Sequence, residues 1–251
     1  MSKSTLSKQL NMRNRDKKTM RNILTFLILA LVINFHSAAA EDSQEKDNNG
    51  ITKHQNIQFS SPQRNMASGA IVGGSMNAAR YAIENGGRAS NIVNVFDKTA
   101  VSSLGNPKWY ARVDMPHANV PYHHINVNKA ITGLKDPHIR ISGATAKAAG
   151  VAGKVLNVVN KVAPVALVAS VVYDAFDIMG DVNNGRAKEA KRKIISKTSS
   201  YAGGAYGATA GAAYGSAIFP GVGTLIGGVV GGLFGGVFGG IGGDVVAEMI
   251  R

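Results

Sequence analysis

Apolar positions follow two different periods along the chain, and the change of period divides it. Over 91–142, Val93, Val95, Trp109, Tyr110, Val113, Ile125, Val127, Ile139 and Ile141 fall among polar residues largely at a period of two. Pro107, Pro116, Pro121, Gly133 and Pro137 punctuate them. Short, half-buried strands separated by turns have this pattern. It predicts strands at about 108–114, 123–128 and 138–142, preceded by a helix over about 91–103. Ahead of them, 66–85 is small and apolar, with Gly69, Gly73 and Gly74, and reads as a short helix packed against an unassigned partner. From 144 to 180 the composition turns helical, with Val155, Leu156, Val158, Val159, Val162, Val165, Leu167, Val168, Val171, Val172, Phe176 and Ile178 outnumbering the charges. Pro164 is expected to kink or split this segment. The uncharged run 162–173 is too short to cross a bilayer alone.

The last fifth has a stricter rhythm. Glycines recur every fourth residue at Gly203, Gly207, Gly211 and Gly215, and again at Gly223, Gly227, Gly231, Gly235, Gly239 and Gly243. A companion row follows one position later, at Gly228, Gly232, Gly236 and Gly240, and no charged residue lies between Lys197 and Asp244. Each glycine disfavours a helix in water by about 1 kcal/mol relative to alanine. In hydrocarbon an unsatisfied backbone group is far more costly, and small residues every four positions let two helix backbones approach closely. With Phe219-Pro220-Gly221 as a turn, residues 199–250 read as a helical hairpin. Its glycine faces point inward, with Leu225, Val229, Leu233, Phe234, Val237, Phe238 and Ile241 largely outward. Pro220-Gly221-Val222-Gly223-Thr224-Leu225-Ile226-Gly227-Gly228 and the Gly-Gly pairs after it resemble the glycine-zipper hairpins of bacterial toxins, bacteriocins and polymorphic-toxin proteins. The resemblance implies membrane insertion or assembly.

The expected fold class is therefore α+β. A small mixed domain with short antiparallel strands (66–142) is followed by a helical region that ends in the glycine-zipper hairpin. The intervening pieces are an apolar helical segment (144–180) and a basic connector (181–198).

Charge and the N-terminus add compartment and partners. Residues 1–40 place a basic stretch (Arg13, Arg15, Lys17, Lys18, Arg21) before an apolar run at 23–35 and Ala38-Ala39-Ala40, the layout of a cleaved secretory signal. A polar linker, 41–65, follows. The run is shorter than the ~20 residues of a spanning helix, which favours cleavage over anchoring. The formal charge of +13 includes seven Lys/Arg and one Asp in 1–40, so the remainder carries +7. That balance favours anionic membrane lipids as partners, and a secreted, membrane-associated location. Arg186, Lys188, Lys191, Arg192, Lys193 and Lys197, just before the zipper, are the candidate lipid-headgroup contacts, each worth about 1 kcal/mol near an anionic surface. Nucleic acid is admitted by charge, but aromatics are not interleaved with the basic residues. With no cysteine in the chain, disulfides and thiolate metal sites are excluded.

Candidate chemistry gathers in the middle. His117, His123, His124 and His138 lie beside Arg112, Asp114, Asn126, Asn128, Asp136 and Arg140. On a strand, His124, Asn126 and Asn128 share one face, which is expected to be open to solvent or a cleft, while His123, Ile125 and Val127 share the other. His138 and Arg140 share a face of the next strand. His124, His138, Asn126 and Arg140 are thus the candidate catalytic set, suited to acid–base work on a phosphodiester. The same groups suit a divalent metal, but neither HExxH nor Cys/His spacing marks one, so the expectation is no metal and no cofactor. His117 after Pro116 and His138 after Pro137 also suit turns. The segments 109–114, 123–126 and 136–138 resemble small His-bearing polymorphic-toxin domains. No phosphate loop or Gly-x-Ser-x-Gly elbow is present.

Three functions follow as expectations. The first is a secreted, membrane-interacting, toxin-like or antimicrobial protein that inserts or homo-oligomerises through the zipper. The second is a secreted phosphodiesterase- or nuclease-like hydrolase using 109–140. The third is a non-toxic, self-assembling extracellular protein.

Overall fold

The structure, a computed structural model, describes residues 61–249 apart from Ala89 and Asp136. The expected signal sequence and almost all of the expected linker lie outside the described residues.

The fold is α+β, an antiparallel sheet followed by a helical region. The chain begins with helix α1 (Ser61–Arg80) and runs directly into a five-stranded meander. Its strands are β1 (Tyr81–Asn85), β2 (Asn91–Val101), β3 (Pro107–Asp114), β4 (His124–Val127) and β5 (Ile139–Arg140). A single helical turn, α2 (Lys129–Thr132), lies between β4 and β5. Three long helices follow: α3 (Gly143–Asn183), α4 (Ala187–Ile218) and α5 (Val222–Met249).

Several expectations change. Where a helix was expected over 91–103, strand β2 forms and pairs with β1 on one side and β3 on the other. Val93, Val95, Thr99 and Val101 are β-branched, and such residues pack best on a pleated surface. The helix begins at Ser61, inside the expected linker. Pro164 does not break α3, which is continuous for 41 residues. The ring removes one helical hydrogen bond, but both flanks are held, by the sheet before it and by α4 after it. The basic stretch is not a separate connector either. After a turn in which Gly185 takes φ +72°, α4 starts at Ala187 and carries the basic residues and the first glycine row on one helix.

The core face of the sheet is built by register. Val93, Val113 and Ile125 align across three strands, as do Val95, Ala111 and Val127, and all six are buried. Helix α3 covers one part, where a β-carbon on Gly153 would come within 2.7 Å of a Val93 methyl. The α4–α5 turn covers another, and there Gly221 (φ +85°) sits against Ala111 and Val95. A register step in β3 leaves Tyr110 without a partner in β2. The extra residue directs the Tyr110 ring onto Tyr81, with ring centroids 5.8 Å apart. Its hydroxyl lies 2.6 Å from Ser216 Oγ. The sheet thus closes one end of the helical hairpin.

Candidate functional site

The second face of the sheet carries the polar cluster. Asn94, Arg112 and Asn126 align in one row, and Asn91, Asp114, His124 and Arg140 in the next. Asp114, His124 and Asn126 are buried, with His124 and Asn126 wholly inaccessible. This corrects the expectation that His124 and Asn126 face solvent. The chain after β3 folds back over them, pinned by reciprocal backbone hydrogen bonds between His117 and Val120 (3.0 and 2.9 Å). The His117 and His138 rings stand 5.2 and 5.1 Å from the His124 ring.

Within the cluster Asp114 is the hub. Asn126 Nδ2 donates to its Oδ2 at 2.8 Å. Arg112 Nε lies 2.8 Å from the same oxygen, as an ion pair without an aligned hydrogen bond. The Arg112 guanidinium also stacks 4.8 Å from the Trp109 ring centroid. His124 Nε2 is 3.6 Å from Asp114 Oδ2, too far for a hydrogen bond. On the other side of that ring, Nδ1 lies 2.9 Å from the Tyr122 carbonyl oxygen.

Of the four expected catalytic residues, His124, Asn126 and His138 are brought together. Arg140 sits beside them with its guanidinium over the Tyr122 ring at 5.1 Å. His138 has φ +39°, in the sparsely populated left-handed region, where the chain turns sharply into β5. Asn128 leaves the row altogether. It caps α2 through its side chain and donates Nδ2 to the Trp109 carbonyl. Asp114 and His117, regarded in sequence as a neighbour and a turn residue, prove central. An Asp-x2-His-x6-His spacing was their only signal.

The glycine rows pack as two distinct faces. Gly203, Gly207, Gly211 and Gly215 of α4 meet Gly223, Gly227, Gly231, Gly235 and Gly239 of α5 backbone to backbone, and Gly243 meets Ser196 and Ser199. The companion row, Gly228, Gly232, Gly236 and Gly240, receives α1 through Asn65, Gly69, Gly73 and Asn77. Those four α1 residues repeat the same four-residue step, a signal present in sequence and not recognised there. Asn77 Nδ2 donates to the Leu225 carbonyl at 2.7 Å, and the buried Ser200 hydroxyl donates to the Gly236 carbonyl at 3.1 Å. The zipper is therefore a three-helix unit rather than a two-helix hairpin. Because α1 and the sheet cover that side, Leu225, Val229 and Leu233 are buried, contrary to expectation. Phe234, Phe238 and Ile241 are exposed as expected.

The basic residues before the zipper separate into two groups. Arg186 and Lys193 pair with Asp181 at 2.7 Å each, Lys193 with Asp177 at 2.8 Å, and Lys197 with Asp174 at 2.9 Å. These pairs staple the second half of α3 to the first half of α4. Arg192 reaches Glu248 at 3.2 Å. Lys188 and Lys191 are exposed.

Helices α3 and α5 are each long and apolar enough to cross a membrane. With the glycine zipper, they fit association with a membrane. Most of the apolar stretch of α3 is exposed, whereas more of α5 is buried against α1 and α4.

Comparison with known proteins divides the chain in a similar way. Residues 64–159 match the family model described as a C13G5.2-like N-terminal domain, and residues 183–242 match the C13G5.2-like glycine zipper domain. No solved structure matches the chain. A relative from Caenorhabditis elegans, "Uncharacterized protein C13G5.2", is 44% identical over 144 residues, which cover 56% of this chain and 41% of that protein. The matched part is less than half of the relative's length. What the chain is similar to is thus a C13G5.2-like protein carrying a glycine zipper.

Proposed function

We propose that this protein is exported and embeds its helical layer in a membrane, holding the small sheet domain at the surface. The observation that carries the reading is the exposed apolar stripe of α3. Val158, Val162, Val165, Val168, Val172 and Phe176 are between 47% and 71% exposed. A contiguous apolar surface of this length is rare on soluble monomers and marks an interaction site. The acidic groups of the same helix support the reading, since Asp174, Asp177 and Asp181 all pair with bases of α4. Ionisable groups within apolar segments pair in this way. The exposed Lys188 and Lys191 support the reading further, since basic side chains beside an apolar segment are attracted to anionic headgroups.

The test is flotation of the full chain with anionic liposomes, against a Val165→Asp/Val168→Asp variant. Both positions are exposed, so the fold is kept. Each Asp costs about 2.5–3.5 kcal/mol in hydrocarbon, so bound protein falls more than about tenfold. Equal flotation of the two proteins would remove the reading. Dye release in the same assay tests the finer, toxin-like version, in which the helices permeabilise the bilayer. Release that tracks bound protein supports it, and tight vesicles leave an anchored scaffold. Export is tested by N-terminal sequencing of secreted product, with Glu41 expected first.

A further inference from the structure

We propose that Asp114, His117 and His124 bind one divalent transition-metal ion of the zinc type on the polar face of the sheet. The argument begins with the proton on His124. A carbonyl oxygen only accepts, so the 2.9 Å contact to Tyr122 requires the proton on Nδ1. In the neutral ring Nε2 then presents its lone pair to the Asp114 carboxylate, acceptor facing acceptor, at 3.6 Å inside a fully buried site. A cation between them resolves that conflict. Two ligands of one tetrahedral zinc stand about 3.3 Å apart, given metal–ligand bonds of about 2.0–2.2 Å. The observed separation is close to that and longer than a hydrogen bond.

Besides the ion-paired Arg112 Nε, three buried atoms of this cluster have no hydrogen-bond partner among the described residues: Asp114 Oδ1, His124 Nε2 and Asn126 Oδ1. Buried polar atoms are rarely left so, and three at one place point to a bound ion or water. One ligand atom each from Asp114, His117 and His124 lies within 4.8 Å of the other two. His117, half-buried on the loop after β3, is the ligand that closes onto the ion and marks its entry side. An Nδ1–H bonded to a backbone carbonyl is the usual outer support of a metal-binding imidazole, fixing its tautomer and raising its basicity. Two imidazoles and one carboxylate suit zinc and its transition-metal neighbours, and lack the six or more oxygens that calcium takes. Three protein ligands leave a fourth position for water, for which Asn126 Oδ1 is a suitable acceptor.

The experiment uses the full chain in detergent, stripped of metal with a chelator. Zn2+ is titrated in competition with a chromophoric chelator, and Co2+ uptake is read by its visible absorption. One equivalent and an intense, tetrahedral-type Co2+ spectrum are expected. His117→Ala and Asp114→Asn should weaken binding at least about tenfold, the lower end of what even supporting residues contribute. His123→Ala, whose ring lies against Gly143, should bind as the parent does. Zn2+ should raise the Tm of the parent and not that of His117→Ala, whose altered position is on a surface loop. If parent and His117→Ala take up Zn2+ equally, or the parent takes up none, His124 and Asp114 are an imidazolium–carboxylate pair and the proposal is overturned.

Discussion

Gly207 and Gly231 touch through their backbones. A β-carbon on Gly207 would overlap the Gly231 carbonyl oxygen and stand 2.9 Å from the Cα of Gly235, and one on Gly231 would overlap the Gly207 carbonyl in return. Helix propensity and packing therefore make opposite predictions. Leucine at either position is the better helix former by roughly 0.8–1 kcal/mol, yet it has no space. Gly231→Leu and Gly211→Leu should each destabilise the fold by about 3 kcal/mol or more, as severe overpacking does. Gly242 is the internal control. Nothing lies within 4 Å of a β-carbon there, so Gly242→Ala should stabilise by up to about 1 kcal/mol. Chemical denaturation in detergent micelles measures all three. A stabilised Gly231→Leu would show that the row is not a packing face.

Docking of α1 depends on the second row. A methyl on Gly69 would overlap the Gly232 carbonyl oxygen and lie 2.8 Å from Gly236 Cα. Gly69→Ala, although a mild change, should cost about 2 kcal/mol. Hydrogen exchange should show where the loss falls. Amides of α1 lose protection first, while β2 and β3, buried at the sheet centre, keep theirs. Uniform loss across the chain would mean that α1 and the sheet unfold as one unit.

The end of α1 is tied to the sheet by Arg80 and Asp97, 3.1 Å apart with the Asp97 carboxylate almost fully buried. Burial opposes ionisation of Asp97. Hydrogen bonds from the Thr99 hydroxyl (2.6 Å) and amide (2.9 Å), together with the Arg80 guanidinium, outweigh it and hold the carboxyl below its ordinary value. A depressed folded-state pKa contributes stability that is complete above the unfolded value, near 3.9 by the usual ~3.9 for Asp. It is lost as pH falls through the folded value. Parent stability should therefore fall with acidification below about pH 4 more steeply than that of Asp97→Asn, as followed by denaturation at a series of pH values. Parallel curves would remove Asp97 from the acid response.

Between α3 and α4, Lys197 neutralises Asp174, whose side chain is 8% exposed and also accepts from the Tyr201 hydroxyl at 2.8 Å. Lys197→Ala should cost about 3 kcal/mol, because it leaves a buried carboxylate without its base. Adding Asp174→Asn should recover most of that loss, and a double-mutant cycle measures the coupling. Additive losses would mean the pair is solvent-screened.

Sequence alone determined the antiparallel strands β3, β4 and β5, the helical C-terminal half and the glycine zipper. These are local signals: a period of two, a period of four, and turn residues where each period stops. It failed at β2, where Val93 and Val95 already alternated but a helix was expected, and pairing on both edges settled the matter. It also failed at Leu225, Val229 and Leu233, whose chemistry suits lipid and core equally well. Their burial depends on α1 arriving from more than a hundred residues away. The polar cluster divides in the same manner. Its residues could be named from the chain, because histidines beside carboxylates stand out anywhere. That Asp114, His117 and His124 converge in a buried site, rather than His124 and Asn126 facing solvent, was decided by strand register and by the loop that His117 and Val120 pin across the sheet. Periodicity encodes which face a residue shares with its neighbours along one element; only packing between elements decides what covers that face.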